Sequence, residues 1–257
     1  MGYWTNKVVM ITGASSGIGK GVALELAARG ARIGLLARRE DLLKELVVEI
    51  EARNSKAVAA AADVQDAQAI RTAADRFRSE LGQIDVLIAN AGISSADHTV
   101  QLAPALAANV IGVNLLGAVN SVAAVIPEMV ERGKGQLVGI SSLAAYRGLP
   151  KSAPYCASKA ALSWYFESVR IDLRDTGVGV TVIHPGFIKT PLTADRDVKK
   201  MPYLMELDDA VEKIVSAIEQ GKKSYAFPWQ LATVMRAGML MPTFMWDWFA
   251  HRKSFKK

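Results

Sequence analysis

The chain has 257 residues, 51% hydrophobic and 22% charged, with a net charge of +6. That size and composition suit a single large α/β domain with a substantial core, and no stretch reads as a linker, a solenoid repeat or a disordered tail. The charge does not mark a nucleic-acid binder, because the basic residues alternate with acids such as Glu45, Glu49 and Glu51 along amphipathic patterns.

One cysteine, Cys156, excludes an intramolecular disulfide and reads as a small buried hydrophobe. His98, His184 and His251 form no metal-ligand spacing with it, so no metal is expected. Met1 to Asn6 reads as too short and polar for a secretory signal, and Asn6 stands where a myristoylation signal needs Ser or Thr. Cytoplasmic residence is the expectation.

In chain order, short β-branched runs alternate with longer helical periods. The pattern predicts strands at Lys7 to Ile11, Arg32 to Leu36, Ala57 to Ala61, Ile84 to Ala89, Leu137 to Ser141 and Val178 to His184. Helices are predicted at Gly17 to Ala28, Arg39 to Arg53, Asp66 to Leu81, within Val100 to Glu131, at Ala153 to Asp175 and at Asp208 to Gln220. Such a βαβα rhythm calls for a doubly wound parallel sheet, a Rossmann fold in one domain with helices on both faces, and for ligands beyond the carboxyl ends of the strands. Chemistry-bearing residues do follow the predicted strand ends: Gly13, Asp63, Asn90-Ala91-Gly92, Ser141-Ser142 and Pro185-Gly186.

Thr12-Gly13-Ala14-Ser15-Ser16-Gly17-Ile18-Gly19 joins the first strand to the first helix. Glycines at this junction permit a tight turn and close backbone approach to a pyrophosphate, whose charge is favoured at a helix N-terminus. Further on, Tyr155 and Lys159 are four residues apart and share a helix face, with Ser142 thirteen residues before Tyr155. A tyrosine normally titrates near ~10, and a neighbouring ammonium favours its ionised form, so the pair suits proton transfer near neutrality. His184 could suggest a hydrolytic triad with Ser142, but no G-x-S-x-G elbow precedes a helix and the glycine loop would be left unexplained.

These motifs, in this order and spacing, resemble the short-chain dehydrogenase/reductase family in its compact single-domain form. The resemblance runs from Lys7 to Gly221, or residues 7–221, and leaves 222–257 as an apolar C-terminal extension. It implies a dinucleotide held by Gly13, Ser15, Ser16, Gly17, Ile18 and Gly19, with Asp63 and Val64 at the adenine. It further implies that Asn90, Ala91 and Gly92 lie along the cofactor, and that Pro185, Gly186, Ile188 and Thr190 lie near the nicotinamide. Tyr155 would be the general acid in carbonyl reduction, Ser142 would hydrogen-bond the oxyanion, Lys159 would bias the tyrosine and bind the nicotinamide ribose, and Asn114 would hold a relay water. Ser141 is a competing hydroxyl, but the family's thirteen-residue interval selects Ser142. The family is often dimeric or tetrameric, which makes a homodimer or homotetramer the expectation.

A ribose 2′-hydroxyl is usually met by a carboxylate after the second strand, whereas a 2′-phosphate needs cationic donors. Leu36-Ala37-Arg38-Arg39 supplies arginines and no acid, which predicts NADP(H), with Arg38 the main phosphate ligand and Arg39 the second. Pro191 to Leu207 reads either as a lid over substrate or as a plain connection. The stretch from Ser224 to Phe249 is rich in tryptophan, phenylalanine and methionine, and Arg236, Pro242 and Asp247 keep any uninterrupted run too short to span a bilayer. Three readings stay open for it: a cap on an apolar substrate pocket, a subunit interface, or a membrane-surface anchor helped by the basic end His251-Arg252-Lys253 with Lys256-Lys257. The expected activity is NADP(H)-dependent interconversion of a carbonyl and an alcohol on a hydrophobic small molecule; the alternative is a dinucleotide-binding redox sensor or structural protein without turnover.

Overall fold

In the computed structural model the described residues are 2–94, 103–194 and 197–254. His98, the start of the helix expected from Val100, and the terminal Lys256 and Lys257 lie outside them. The seven strands, in sequence order, are β1 (Val8–Thr12), β2 (Arg32–Ala37), β3 (Ala57–Ala61), β4 (Ile84–Ala89), β5 (Gly135–Ile140), β6 (Val178–Pro185) and β7 (Ser224–Phe227). They form one sheet in the order β3-β2-β1-β4-β5-β6-β7, with every pairing parallel. The helices are α1 (Gly17–Ala28), α2 (Glu40–Glu51), α3 (Ala67–Leu81), α4 (Pro104–Ile111), α5 (Gly117–Glu131), α6 (Ala153–Asp172), α7 (Leu207–Glu219), α8 (Trp229–Leu240) and α9 (Thr243–Ser254).

Helices on both sides explain why the strands are continuously apolar. All five residues of β1 are buried, with Val9 and Ile11 in the core facing α1, α2 and α7, and Val8 and Met10 in the core facing α3, α5 and α6. Alternate side chains of a strand point to opposite faces, and each fully buried Val, Ile or Met contributes about 1.5–3 kcal/mol relative to exposure. α4 runs into α5 through a π-helical turn, Gly112–Leu116, making a 28-residue apolar helix from Pro104 to Glu131. Its length and hydropathy would suit a membrane span, but 56% of its most apolar window is buried inside the protein, as a core helix should be.

The sheet order reverses direction between β1 and β4, which opens a crevice at the carboxyl ends of the strands. The expected fold is therefore the observed one, with strand and helix ends shifted by a few residues. The sequence pattern did not resolve the last part. Ser224–Phe227 is a seventh strand that pairs with β6, and the aromatic stretch after it forms two helices joined at Met241 and Pro242. A four-residue edge strand and a helix with apolar residues on all sides give no clean period to read.

Candidate active site

A cavity of about 640 Å³ opens at the switch point and runs from the glycine loop to α8 and α9. Its first wall is the β1–α1 connection. Gly13 has φ +66°, and a Cβ on it would stand 2.7 Å from Ala91 Cα. Gly19 is still tighter, since a Cβ there would lie 2.4 Å from the Gly13 carbonyl oxygen and 2.6 Å from Asn90 Nδ2. Asn90 Nδ2 donates to the Thr12 carbonyl at 2.9 Å, and the Asn90 and Ala91 amides both donate to Thr12 Oγ1 at 3.1 Å, so β4 clamps the loop from behind.

The start of α1 differs from that of α3. Asp66 caps α3 by accepting from the Gln68 and Ala69 amides, whereas the Ser16 side chain caps none of the α1 amides. Those first-turn amides face the cavity region with the helix dipole behind them, a setting for an anion. Ser16 Oγ instead accepts from Arg39 Nη2 at 2.8 Å, and Ser15 Oγ from the same nitrogen at 2.9 Å. Arg38 is mostly exposed and only 4.0 Å from Asp63, a pairing too loose and solvated to hold it. The residues fit a dinucleotide: backbone is brought close where no Cβ would fit, and two guanidinium groups stand beside the loop.

Ser142, Tyr155 and Lys159 line the middle of the cavity. Lys159 is buried and its Nζ donates to the Ile140 carbonyl at 2.8 Å, while lying 5.9 Å from the Tyr155 ring centre. Burial lowers the ammonium from the usual lysine range to about 8. Ser142 Oγ accepts from the Ala144 amide at 3.1 Å and donates to the Pro185 carbonyl over a long 3.5 Å, so its hydrogen is easily redirected to a ligand.

Most of the sequence-predicted residues meet on this cavity: Ser15, Ser16, Gly17 and Ile18 with Gly13, then Arg38, Arg39, Asp63, Val64, Asn90, Ala91 and Gly92, and beyond β6 Pro185, Gly186, Ile188 and Thr190. Gly19 and Asn114 do not line it. Gly19 lies behind the wall, where its missing side chain lets α1 close on Gly13. Asn114, in the π-helical turn, is fully buried; its Oδ1 accepts from the Ile93 amide at 2.8 Å, and its Nδ2 donates to the Ile93 carbonyl at 3.0 Å and to Ser158 Oγ at 2.9 Å. Its side chain thus ties the segment after β4 to α6. A π-helical turn inside a long helix often marks a functional site.

Sequence reasoning missed a second polar layer. Ser141 Oγ and Ser163 Oγ each donate to the Lys159 carbonyl at 2.9 Å, and Ser163 Oγ lies 3.2 Å from His184 Nε2. Tyr146 stacks on His184 at 5.1 Å, and burial, with Arg236 adding to it, lowers His184 to about 4, so its ring is neutral near pH 7. Ser163 stands one turn after Lys159, a spacing that was visible without any chemistry to single it out. Cys156 is buried off the cavity, as expected.

The far wall is apolar. Leu143, Leu149 and Phe187 meet Leu231, Met235 and Trp246 there. Trp246 packs so closely on Gly238 that a Cβ would stand 2.6 Å from the ring, and its Nε1 donates to the Gly148 carbonyl at 3.0 Å. The segment after Thr190 contains two short 3₁₀ turns, Pro191–Thr193 and Val198–Lys200, and supplies Leu192, Lys200 and Pro202 to the rim.

A doubly wound sheet with a glycine-clamped loop at its switch point and a tyrosine, lysine and serine in the same crevice defines a class of dinucleotide-site proteins. Sequence comparison narrows the class. The family model described as short chain dehydrogenase matches residues 7–200. An uncharacterized oxidoreductase of Myxococcus xanthus is 42% identical over 252 residues, 98% of this chain and 99% of that protein. The probable oxidoreductase EphD of Mycobacterium tuberculosis is 39% identical over 194 residues, 75% of this chain but 33% of that longer protein. Among solved structures, a short chain dehydrogenase from Mycobacterium paratuberculosis bound to NAD superposes with TM-score 0.80 at 26% identity, covering 88% of this chain and 97% of that one. The chain belongs to the short chain dehydrogenase family and is an oxidoreductase of that family.

Proposed function

We propose that the protein is an NADP(H)-dependent oxidoreductase that interconverts a carbonyl and an alcohol on a hydrophobic substrate. One observation carries the reading: Ser142, Tyr155 and Lys159 stand in a single cavity between a glycine-lined wall and an apolar wall. Gly13 to Ile18, Asn90 to Gly92 and Ile188 to Thr190 would hold a reduced nicotinamide dinucleotide, which would supply the hydride. Tyr155 donates its phenolic proton to the substrate oxygen as negative charge grows there, and Ser142 Oγ donates a hydrogen bond to the same oxygen. Lys159, charged below about pH 8, favours the ionised tyrosine left behind and would be the residue to hold the nicotinamide ribose. Asn114 is a positioning residue, holding Ile93 against α6. In the oxidative direction Tyr155 accepts the proton instead.

Preference for NADP(H) is supported by Arg38 and Arg39 after β2, where no carboxylate is available for a 2′-hydroxyl. Because Arg39 already sits on Ser15 and Ser16, it takes a part in phosphate binding at least equal to that of Arg38. The family-like core is residues 7–221; the segment from 222 adds the edge strand β7 and then the cap, in which α8 and α9 turn Leu231, Met235 and Trp246 inward, which favours bulky or lipid-like carbonyl compounds. Cytoplasmic residence belongs to the same reading, as does contact with a membrane surface through the C-terminal segment. So does a homodimer or homotetramer, for which Trp164 and Ile171 give α6 an exposed apolar face.

The test is NADPH consumption across carbonyl compounds graded by size and chain length, repeated with NADH. Turnover that improves with chain length and prefers NADPH is expected. Equal efficiency with NADH removes the cofactor assignment, and silence across the panel with NADPH binding intact would instead make the protein a sensor.

A further inference from the structure

The apolar residues of α8 and α9 fall on every side of these helices, yet only one side is covered. On α8, Ala232, Met235 and Gly238 face inward at three-residue steps, while Trp229 and Leu240 are 71% and 90% exposed. On α9, Trp246 is buried, while Phe244 and Trp248, four residues apart and so on one stripe, are 74% and 60% exposed. A helix that is apolar all round is normally buried all round. Single exposed apolar residues are ordinary, but several aromatics and leucine on one short hairpin are not.

The charge beside them indicates what covers this side. From Trp229 to the end of the chain, five cations, Arg236, Arg252, Lys253, Lys256 and Lys257, stand against the single acid Asp247. Four of the five come within nine residues after Trp248 in the sequence, Arg252 and Lys253 in the last turn of α9 itself. Aromatic and aliphatic side chains next to clustered lysine and arginine match an anionic lipid surface, in which the rings enter the interfacial zone and the cations meet headgroup phosphates. A second copy of this strongly basic segment would bring like charges together. The hairpin is two short helices broken at Pro242, so it lies on a bilayer rather than across it.

We propose that the outer face of α8 and α9 docks the protein on an anionic membrane surface, while the inner face of the same hairpin walls the substrate cavity. This rests on the reading of the cavity as a site for a hydrophobic substrate: a lipid-borne carbonyl compound then reaches Tyr155 without crossing bulk water.

The full-length protein is tested by co-sedimentation with vesicles of phosphatidylcholine alone or mixed with phosphatidylglycerol. Binding should be at least roughly tenfold stronger to the anionic vesicles and should weaken at high salt. The triple variant Trp229→Ser, Phe244→Ser, Trp248→Ser should lose binding to both vesicle types, and replacing Arg252, Lys253, Lys256 and Lys257 by glutamine should remove the preference for anionic lipid. Circular dichroism and turnover of a short water-soluble carbonyl should be unchanged in both variants; Trp229, Phe244 and Trp248 lie off the cavity wall described above. Failure of the wild type to bind either vesicle overturns the proposal, as does wild-type binding by the triple variant. A lipid-free wild type whose oligomer dissociates in the triple variant also overturns it, by assigning the face to a second copy. Vesicle binding in a protein inactive on every carbonyl would keep the docking surface and reject the enzymatic reading.

Discussion

The two walls of the cavity are made of different material. At the strand ends, backbone and small side chains approach so closely that a single added carbon on Gly13 or Gly19 would collide with main chain or with Asn90. Across from them, α8 and α9 present Leu231, Met235 and Trp246, bulky side chains held by packing and by one hydrogen bond from Trp246 to Gly148. Close backbone approach fixes one geometry and admits little variation. A wall of large side chains can be reshaped by changing volume, so the proposed function assigns the cofactor to the first wall and substrate choice to the second, with Ser142, Tyr155 and Lys159 between them.

The sharpest way to break that division is Tyr155→Phe, which removes a hydroxyl where the two walls meet and leaves the ring in place. Carbonyl reduction should fall about 10³-fold, within the span general acids contribute, while NADPH affinity measured by fluorescence titration stays within about twofold. Retention of more than a tenth of the wild-type turnover would remove Tyr155 from the mechanism.

Next in size is Trp246→Ala on the far wall. Losing the ring over Gly238 and the bond to Gly148 should cost about 3 kcal/mol in urea unfolding and raise KM for long-chain substrates, leaving kcat for a small carbonyl near wild type. Equal losses on small and large substrates would mean that the hairpin supports the fold without selecting substrate.

The buried bases give effects of similar or smaller size, separated by pH. Lys159 titrates at about 8 in the fold, against 10.5 for the unperturbed side chain. The unfolded chain therefore binds more protons between those values, and stability should rise with pH across that window by up to about 3 kcal/mol. Lys159→Met should lack the rise. His184 works in the acid range: with a folded value of about 4 against 6.5, its contribution is present above 6.5 and is lost as pH falls toward 4. His184→Gln should flatten that part of the acid limb in denaturant titrations followed from pH 7 to 4.

The first wall was legible in the sequence because its requirements are local. A glycine run after a strand, or a tyrosine four residues before a lysine, has spacing that survives without knowledge of the partners. The clamp of Asn90 on Thr12 was not legible, since it depends on strand register across the sheet, nor was the bond from Lys159 to Ile140, which depends on how α6 packs against β5. Asn114 was found by its place in the order, but its bonds to Ile93 and Ser158 appear only once α4, α5 and α6 are packed together. The second wall stayed ambiguous for a physical reason. Apolar residues all round α9 do not tell which of them faces inward, and tertiary packing chose Trp246 for the interior and Trp248 for the outside.

The smallest effect concerns the cofactor end of the first wall, where both arginines are solvent-facing and either could serve a phosphate. Arg39 shares its guanidinium with Ser15 and Ser16, whereas Arg38 has only a 4.0 Å contact with Asp63. A guanidinium already held on the loop loses less freedom when it meets a 2′-phosphate, so Arg39→Ala should reduce the ratio of kcat/KM for NADPH over NADH by roughly tenfold, and Arg38→Ala by less. Neither change should alter the rate with NADH by more than about twofold, because neither arginine is near the reacting groups in the middle of the cavity. A larger loss in Arg38→Ala would restore the order read from the sequence. An unchanged ratio in the double variant would detach NADP(H) preference from this corner altogether.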